Sequence, residues 1–202
     1  MKHRGRGIFS ARGGPAAAAA VVLFGLPAAA AADEALWALL KGGGQVMAIR
    51  HASTAPGVGD PAGFRLEDCA TQRNLSPAGR EEARRLGVAV RARGVPIARV
   101  LSSQWCRCLE TARLAFGTAE AWPPLNSFFE ERRRGRAQTE KVRALIAGPP
   151  AGGNLVLVSH QVNIAALTGL YPAPGEVIVL TPQEDGTFRV AGRLRPDALP
   201  RQ

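Results

Sequence analysis

Long apolar segments are scarce in this sequence. The main one covers residues 16–26, ends before Pro27, and is shorter than the roughly 20 residues that a membrane-spanning helix needs. Three alanines, Ala30 to Ala32, follow it, and four basic residues precede it: Lys2, Arg4, Arg6 and Arg12. This order is typical of a secretory signal peptide. We therefore predict that residues 1–32 are a signal peptide cleaved before Asp33, and an uncleaved anchor is the alternative.

Aromatic residues make up only 5% of the sequence, and they do not alternate with basic residues as in single-strand nucleic-acid binders. Without the predicted signal peptide, 22 basic and 16 acidic residues remain, which is a formal charge of +6. We expect no nucleic-acid partner. A moderate positive charge instead suits an anionic small-molecule substrate or contact with an anionic envelope surface.

Cysteine is also rare, with three residues in a chain that we expect to be exported. Disulfides persist in oxidising compartments. Cys106 and Cys108 are two positions apart in a predicted helix, so they face different directions and are poor partners for each other. We predict a disulfide from Cys69 to one of these two.

The remaining residues, 33–202, are enough for one domain and short for two. Short apolar runs at 46–49, 97–101 and 155–158 read as buried strands, and helical patterns follow each of them. The end of the chain, 176–194, reads as a hairpin. Alternating strands and helices predict an α/β domain, a three-layer αβα sandwich around a mainly parallel sheet.

Histidine is also scarce, because only two histidines remain after the predicted cleavage. His51 directly follows the apolar run 46–49 and Arg50, and His160 follows the run 155–158 and Ser159. Ligands of open α/β sheets bind outside the carboxyl ends of the strands. The two histidines are therefore predicted to face one pocket.

Arginine supplies the second part of this predicted site. Arg50 is next to the first histidine, and Arg107 lies in the first turn of the helix that follows Ser102 and Ser103. A guanidinium beside the free N–H groups of a helix start suits a phosphate dianion. The pattern therefore predicts a phosphate-binding site.

Together these segments resemble the histidine phosphatase superfamily, also called phosphoglycerate-mutase-like, in its branch with short capping segments. The resemblance is carried by three motifs in order: Arg50-His51-Ala52, Ser102-Ser103 to Arg107 with Glu110-Thr111-Ala112, and Ser159-His160. It covers about residues 45–194. Ala52 stands where the family usually has glycine.

The resemblance implies a two-step hydrolysis that needs no metal or other cofactor. His51 would attack phosphorus and form a phosphohistidine, while Arg50, Arg107 and His160 would hold the phosphate. The resemblance places the acid that protonates the leaving alcohol near Glu130, with Glu131 as the alternative. Thr54 is a further candidate for binding the phosphate.

We therefore predict a periplasmic or secreted phosphomonoesterase of the histidine acid phosphatase type. Its substrate would be a small or envelope-derived phosphate ester. Two alternatives remain open, which are a non-catalytic module that binds phosphorylated ligands and a phosphatase that acts on phosphohistidine in proteins.

Overall fold

The computed structural model describes residue 1 and residues 28–148 and 151–195. Most of the predicted signal peptide lies outside the described residues. Five α-helices are present in the described chain: α1 (Ala28–Lys41), α2 (Pro77–Ala92), α3 (Cys106–Phe116), α4 (Gly135–Ile146) and α5 (Gln161–Thr168). The strands are β1 (Val46–Arg50), β2 (Ile97–Ser102), β3 (Glu120–Ala121), β4 (Asn154–Ser159), β5 (Val177–Pro182) and β6 (Phe188–Leu194).

The six strands form one sheet in the order β3-β2-β4-β1-β5-β6. The pairings from β3 through β2 and β4 to β1 are parallel, whereas β5 pairs antiparallel with both β1 and β6. The predicted mainly parallel sheet and the terminal hairpin are therefore confirmed. The antiparallel part follows from the short β5–β6 turn, because parallel neighbours need a longer crossover.

Side chains of successive strand residues reach the two faces of the sheet in turn. Met47 and Ile49 of β1 pack with α1, α2 and α3, whereas Val46 and Ala48 pack with α4 and α5. These four side chains are at most 2% exposed. Strands buried on both faces read as continuous apolar runs, which is why β1 and β4 were visible in the sequence. The predicted three-layer sandwich is confirmed.

Local signals set several helix ends. The Ser76 side chain accepts a hydrogen bond from the Gly79 N–H at the start of α2, and Pro77 occupies the first turn. Gly117 ends α3 in the left-handed conformation. The residues between β1 and α2 form a long loop outside the sheet. Asp60 and Cys69 of this loop contact the start of α3, so the loop lies over the carboxyl ends of the strands.

Two elements differ from the prediction. From the sequence, Asp33 is a good N-cap and predicts a helix over residues 34–41. Helix α1 instead begins at Ala28, so Asp33 lies inside it; a run of alanines continues a helix at little cost. Helix α4 was not predicted, because only Val142 and Ile146 among its large apolar residues are buried. No helix in the described part of the chain is both long and apolar enough to cross a membrane.

Candidate active site

Two neighbouring strands bring the histidines together. Because β1 and β4 are parallel neighbours, their carboxyl ends meet at the same edge of the sheet. The His51 N–H donates to the Ser159 carbonyl at 2.9 Å, and the two imidazole centroids are 5.4 Å apart. Both rings are buried, with His51 5% and His160 4% exposed. The structure therefore places both histidines in one pocket, as the sequence predicted.

The hydrogen bonding of His51 determines which ring nitrogen is available for chemistry. Its Nδ1 lies 2.9 Å from the Ala52 carbonyl oxygen. A carbonyl oxygen only accepts, so Nδ1 carries the proton and Nε2 presents a lone pair. The Ala52 N–H donates to the Thr111 hydroxyl, which holds this carbonyl in place. Burial, and next the positive charge of Arg107, lower the pKa of His51 to about 3. The ring is therefore neutral at physiological pH.

His160 has different partners. Its Nε2 lies 2.9 Å from the Ser103 hydroxyl and 3.5 Å from the Cys108 sulfur. Burial, together with the neighbouring His51 ring and Arg107, holds the pKa of His160 well below its usual value. Burial also raises the pKa of the Cys108 thiol to about 12, so this sulfur is not a nucleophile at neutral pH.

Two arginines lie beside the histidine pair. Arg50 donates from Nη1 to the Pro172 carbonyl at 2.9 Å. Arg107 donates from Nη1 and Nη2 to the two carboxylate oxygens of Asp60, at 2.7 and 3.0 Å. Among the described residues, the Nε atoms of both arginines are buried and have no hydrogen-bond partner. Buried unpaired donors are costly, and an anion beside them would supply the missing acceptors.

Asp60 and Arg73, from the loop between β1 and α2, are site residues that the sequence analysis missed. The Arg73 N–H donates to Asp60, and its side chain donates to the carbonyls of Gly57 and Gly59. Arg73 also contributes positive charge that lowers the pKa of His51. The length and composition of this loop were its only sequence signal, because loops this long are usually functional.

The remaining predicted residues are not in contact with the two histidines. The Thr54 hydroxyl accepts a hydrogen bond from Arg73 Nη1 at 2.6 Å, so it reaches the pocket through this arginine. Glu131 pairs with Arg134 and Arg133. The Glu130 side chain is exposed and makes no hydrogen bond or ion pair with any described residue. Its Oε1 lies 3.8 Å from the position that a Cβ on Gly59 would take. Of the two glutamates, Glu130 is thus the free one, beside the loop.

The charge of the pocket matches a phosphate ester. Arg50, Arg73 and Arg107 contribute three positive charges, and Asp60 contributes one negative charge, which leaves +2. A phosphate monoester carries up to two negative charges near neutral pH. The described residues contain no cluster of three or more histidine, cysteine, aspartate or glutamate side chains arranged to hold a metal ion.

Fold and site together define an α/β protein with two buried histidines and three arginines at the carboxyl ends of its strands. The sequence model of the histidine phosphatase superfamily (branch 1) matches residues 46–142, which include Arg50, His51 and Arg107. This match covers 97 of the 202 residues, and over that segment it supports the resemblance to the superfamily that the motifs predicted. No curated protein matches the chain.

Several solved structures share the fold. A putative phosphohistidine phosphatase SixA from Agrobacterium tumefaciens is 24% identical, with a TM-score of 0.51, and the match covers 75% of this chain and 97% of that one. A putative alpha-ribazole-5'-P phosphatase from Escherichia coli is 19% identical, with a TM-score of 0.54 and coverage of 72% and 94%. A phosphoserine phosphatase from Entamoeba histolytica is 13% identical, with a TM-score of 0.53 and coverage of 75% and 97%. At these low identities, the matches establish the shared fold alone.

Proposed function

We propose that this protein is an exported phosphomonoesterase that needs no metal and works through a phosphohistidine on His51. The observation that carries the proposal is the combination of a neutral His51 ring, whose Nε2 is free, with two buried arginine Nε–H groups that have no partner. A nucleophile and unpaired donors in one buried site are what in-line attack on a phosphate needs.

In the first step, His51 Nε2 attacks phosphorus as the bond from phosphorus to the ester oxygen breaks. The lone pair of Nε2 forms the new bond, and the proton stays on Nδ1, which donates it in a hydrogen bond to the Ala52 carbonyl. In the second step, water attacks the phosphohistidine, and Nε2 leaves with its electron pair. Arg50 and Arg107 balance the charge on the phosphate oxygens in both steps.

His160 stabilises the same charge from the other side of the pocket. When the Ser103 hydroxyl donates to its Nε2, the neutral ring carries its proton on Nδ1, where it can donate to a phosphate oxygen. The Ser103 oxygen lies 2.9 Å from His160 Nε2 and 3.3 Å from the Asn126 amide oxygen, and the proton is assigned to the shorter contact.

Glu130 is the proposed acid. It protonates the leaving alkoxide in the first step and accepts a proton from the attacking water in the second. Its free carboxylate beside Gly59 supports this role. The Glu131 carboxylate is engaged in ion pairs with Arg133 and Arg134, so it is less available to the site than Glu130.

Two observations support export. The first 32 residues have the basic, apolar and small-residue order of a signal peptide. A disulfide joins Cys69 and Cys106, and such bonds persist outside the cytoplasm. The proposed substrates are therefore phosphate esters of the periplasm or the medium.

The test is hydrolysis of 4-nitrophenyl phosphate by purified residues 33–202, with a chelator present. We expect turnover by the wild type and none above background by His51→Ala. Binding of inorganic phosphate without turnover would indicate the non-catalytic module instead. The same assay with a phosphohistidine peptide and with small alkyl phosphates separates the protein phosphatase from the small-molecule phosphatase.

A further inference from the structure

We infer that Asp60 is a positioning residue for catalysis, which holds Arg107 by one edge of its guanidinium so that the Nε edge faces the phosphate. This inference rests on the proposed function. It gives a role to a carboxylate in the phosphate site, where a negative charge by itself would disfavour the binding of phosphate.

The first support is the geometry of the pair. The Arg107 and Asp60 side chains are only 5% and 6% exposed, and the two terminal nitrogens of Arg107 each contact one oxygen of Asp60, at 2.7 and 3.0 Å. Bidentate pairs of this kind fix the plane of the guanidinium. Because the terminal nitrogens point at Asp60, the unpaired Nε–H points along the adjacent edge. The orientation of Arg107 is thus set by Asp60.

The second support is that the Asp60 carboxylate is fully used. Oδ1 accepts from Arg107 and from the Arg73 N–H at 3.0 Å, and Oδ2 accepts from Arg107 and from Trp105 Nε1 at 2.9 Å. Four donors fill the four lone-pair directions of a carboxylate. Although burial raises the pKa of Asp60, the hydrogen bonds and charge of Arg107 lower it below its ordinary value. An ionised and saturated carboxylate is a poor proton donor, so Asp60 does not replace Glu130.

The third support is that a phosphate need not displace Asp60. Arg107 and Arg50 each keep a buried Nε–H without a partner while Asp60 is in place. Displacement would in addition leave Trp105 Nε1 and the Arg73 N–H without their acceptor. Asp60 and the phosphate are therefore expected to occupy different edges of Arg107 at the same time.

The experiment compares Asp60→Asn with Asp68→Asn, a matched change in the same loop at a carboxylate that pairs with the exposed Arg65. An asparagine places an NH2 group against an Arg107 donor, so we expect kcat/KM to fall about 100-fold, the range for loss of one positioned donor. Inhibition by inorganic phosphate should weaken in the same variant. Asp68→Asn should match the wild type in both measurements.

Three further measurements separate positioning from other roles. First, the loss of kcat/KM in Asp60→Asn should be equal for 4-nitrophenyl and alkyl phosphates. Second, adding Asp60→Asn to Arg107→Ala should cause no further loss. Third, formate should restore part of the activity of Asp60→Ala. A defect confined to alkyl phosphates would make Asp60 the acid and overturn the inference. Tighter binding of phosphate to Asp60→Ala would also overturn it, because Asp60 would then compete with the substrate.

Melting temperatures of all variants identify a loss of activity that comes from unfolding. If Asp60→Asn unfolds, Asp60→Glu tests the positioning of Arg107 instead, because it keeps the carboxylate but displaces it. This variant should stay folded and should show weaker inhibition by phosphate. An inactive wild type would overturn the proposed function, whereas an active wild type with an unaffected Asp60→Asn would overturn only the inference about Asp60.

Discussion

At the scale of single residues, the two histidines are equivalent in the sequence and different in the pocket. Each follows an apolar strand. However, His51 uses Nδ1 to bond the Ala52 carbonyl, whereas His160 uses Nε2 to bond Ser103. This leaves Nε2 of His51 and Nδ1 of His160 facing the site. The first arrangement suits a nucleophile, and the second suits a donor.

This asymmetry predicts different outcomes for the two alanine variants. His51→Ala removes the covalent route, so rapid quenching with a labelled phosphate ester should trap no phosphoenzyme. His160→Ala removes one stabilising donor and should still form the phosphoenzyme, with turnover lowered by about 10² to 10³. The trapped species should be labile in acid and stable in base. Label on Ser102, Ser103 or His160 would contradict this assignment.

The lowered pKa of His51 predicts an unusual pH profile. Because the ring stays neutral down to about pH 3, kcat/KM for 4-nitrophenyl phosphate, whose leaving group depends little on the acid, should change little between roughly pH 5 and 7 after correction for ionisation of the substrate. An unperturbed histidine would lose its nucleophilic form below roughly pH 6.5. An acidic limb near 6.5 in the corrected profile would show that the ring is not held neutral.

The same pKa predicts how stability depends on pH. Between about 6.5 and about 3, the unfolded chain binds a proton at His51 that the folded chain does not bind. The free energy of unfolding should therefore decrease as the pH falls through this window. Urea unfolding at several pH values measures this slope, and it should be shallower in His51→Gln.

At the scale of elements, the disulfide connects the loop to the helix that carries Arg107. Cys69 lies in a short 3-10 helix of the loop, and Cys106 is the first residue of α3. The Gln72 side chain accepts from the Cys106 N–H at 3.0 Å and supports the same junction. The prediction of a bond from Cys69 is thus confirmed, with Cys106 as its partner and Cys108 as the free thiol.

We predict that loss of this bond weakens both stability and catalysis. It closes a sequence separation of 37 residues, and bonds of this kind contribute roughly 2–4 kcal/mol. Cys69→Ser should lower the melting temperature, and it should lower kcat because the loop holds Asp60. A reductant should slow the wild type but leave a Cys69→Ser, Cys106→Ser double variant unchanged. A wild type insensitive to full reduction would contradict this role.

The contact between α2 and α3 yields a prediction about Gly87. A Cβ at this position would lie 2.2 Å from the Ala115 carbonyl oxygen, a backbone atom that cannot move aside cheaply. Helix propensity alone would make Gly87→Ala stabilising by about 1 kcal/mol. We expect the opposite sign, a loss of about 1–3 kcal/mol from overpacking. Gly148→Ala is the control, because no described atom lies within 4 Å of its added Cβ.

At the scale of the whole molecule, the predicted cleavage falls within α1 and before its buried residues. Leu36, Trp37 and Leu40 pack in the core and all follow Asp33. We expect mass determination of the native protein to show a chain that begins at or near Asp33, and residues 33–202 should fold and turn over substrate. A soluble protein from the native host with an intact Met1 would contradict export.

The sequence by itself determined the architecture and four residues of the candidate site. Strands buried on both faces appear as uninterrupted apolar runs, and the residues after them must lie at one edge of a parallel sheet. These are local patterns of spacing, so His51, His160, Arg50 and Arg107 could be found without coordinates. The short, weakly apolar α4 could not, because only its packing on the sheet distinguishes it from a loop.

Only the tertiary structure decided how the site is held. The pairing of Arg107 with Asp60 crosses 47 positions of the chain, and the choice of Cys106 over Cys108 depends on which way α3 is turned. The free edges of Arg50 and Arg107 depend in the same way on which other groups are already bonded. Hydrogen bonds between distant segments leave no period in the sequence, because their geometry exists only once the loop has closed over the strand ends.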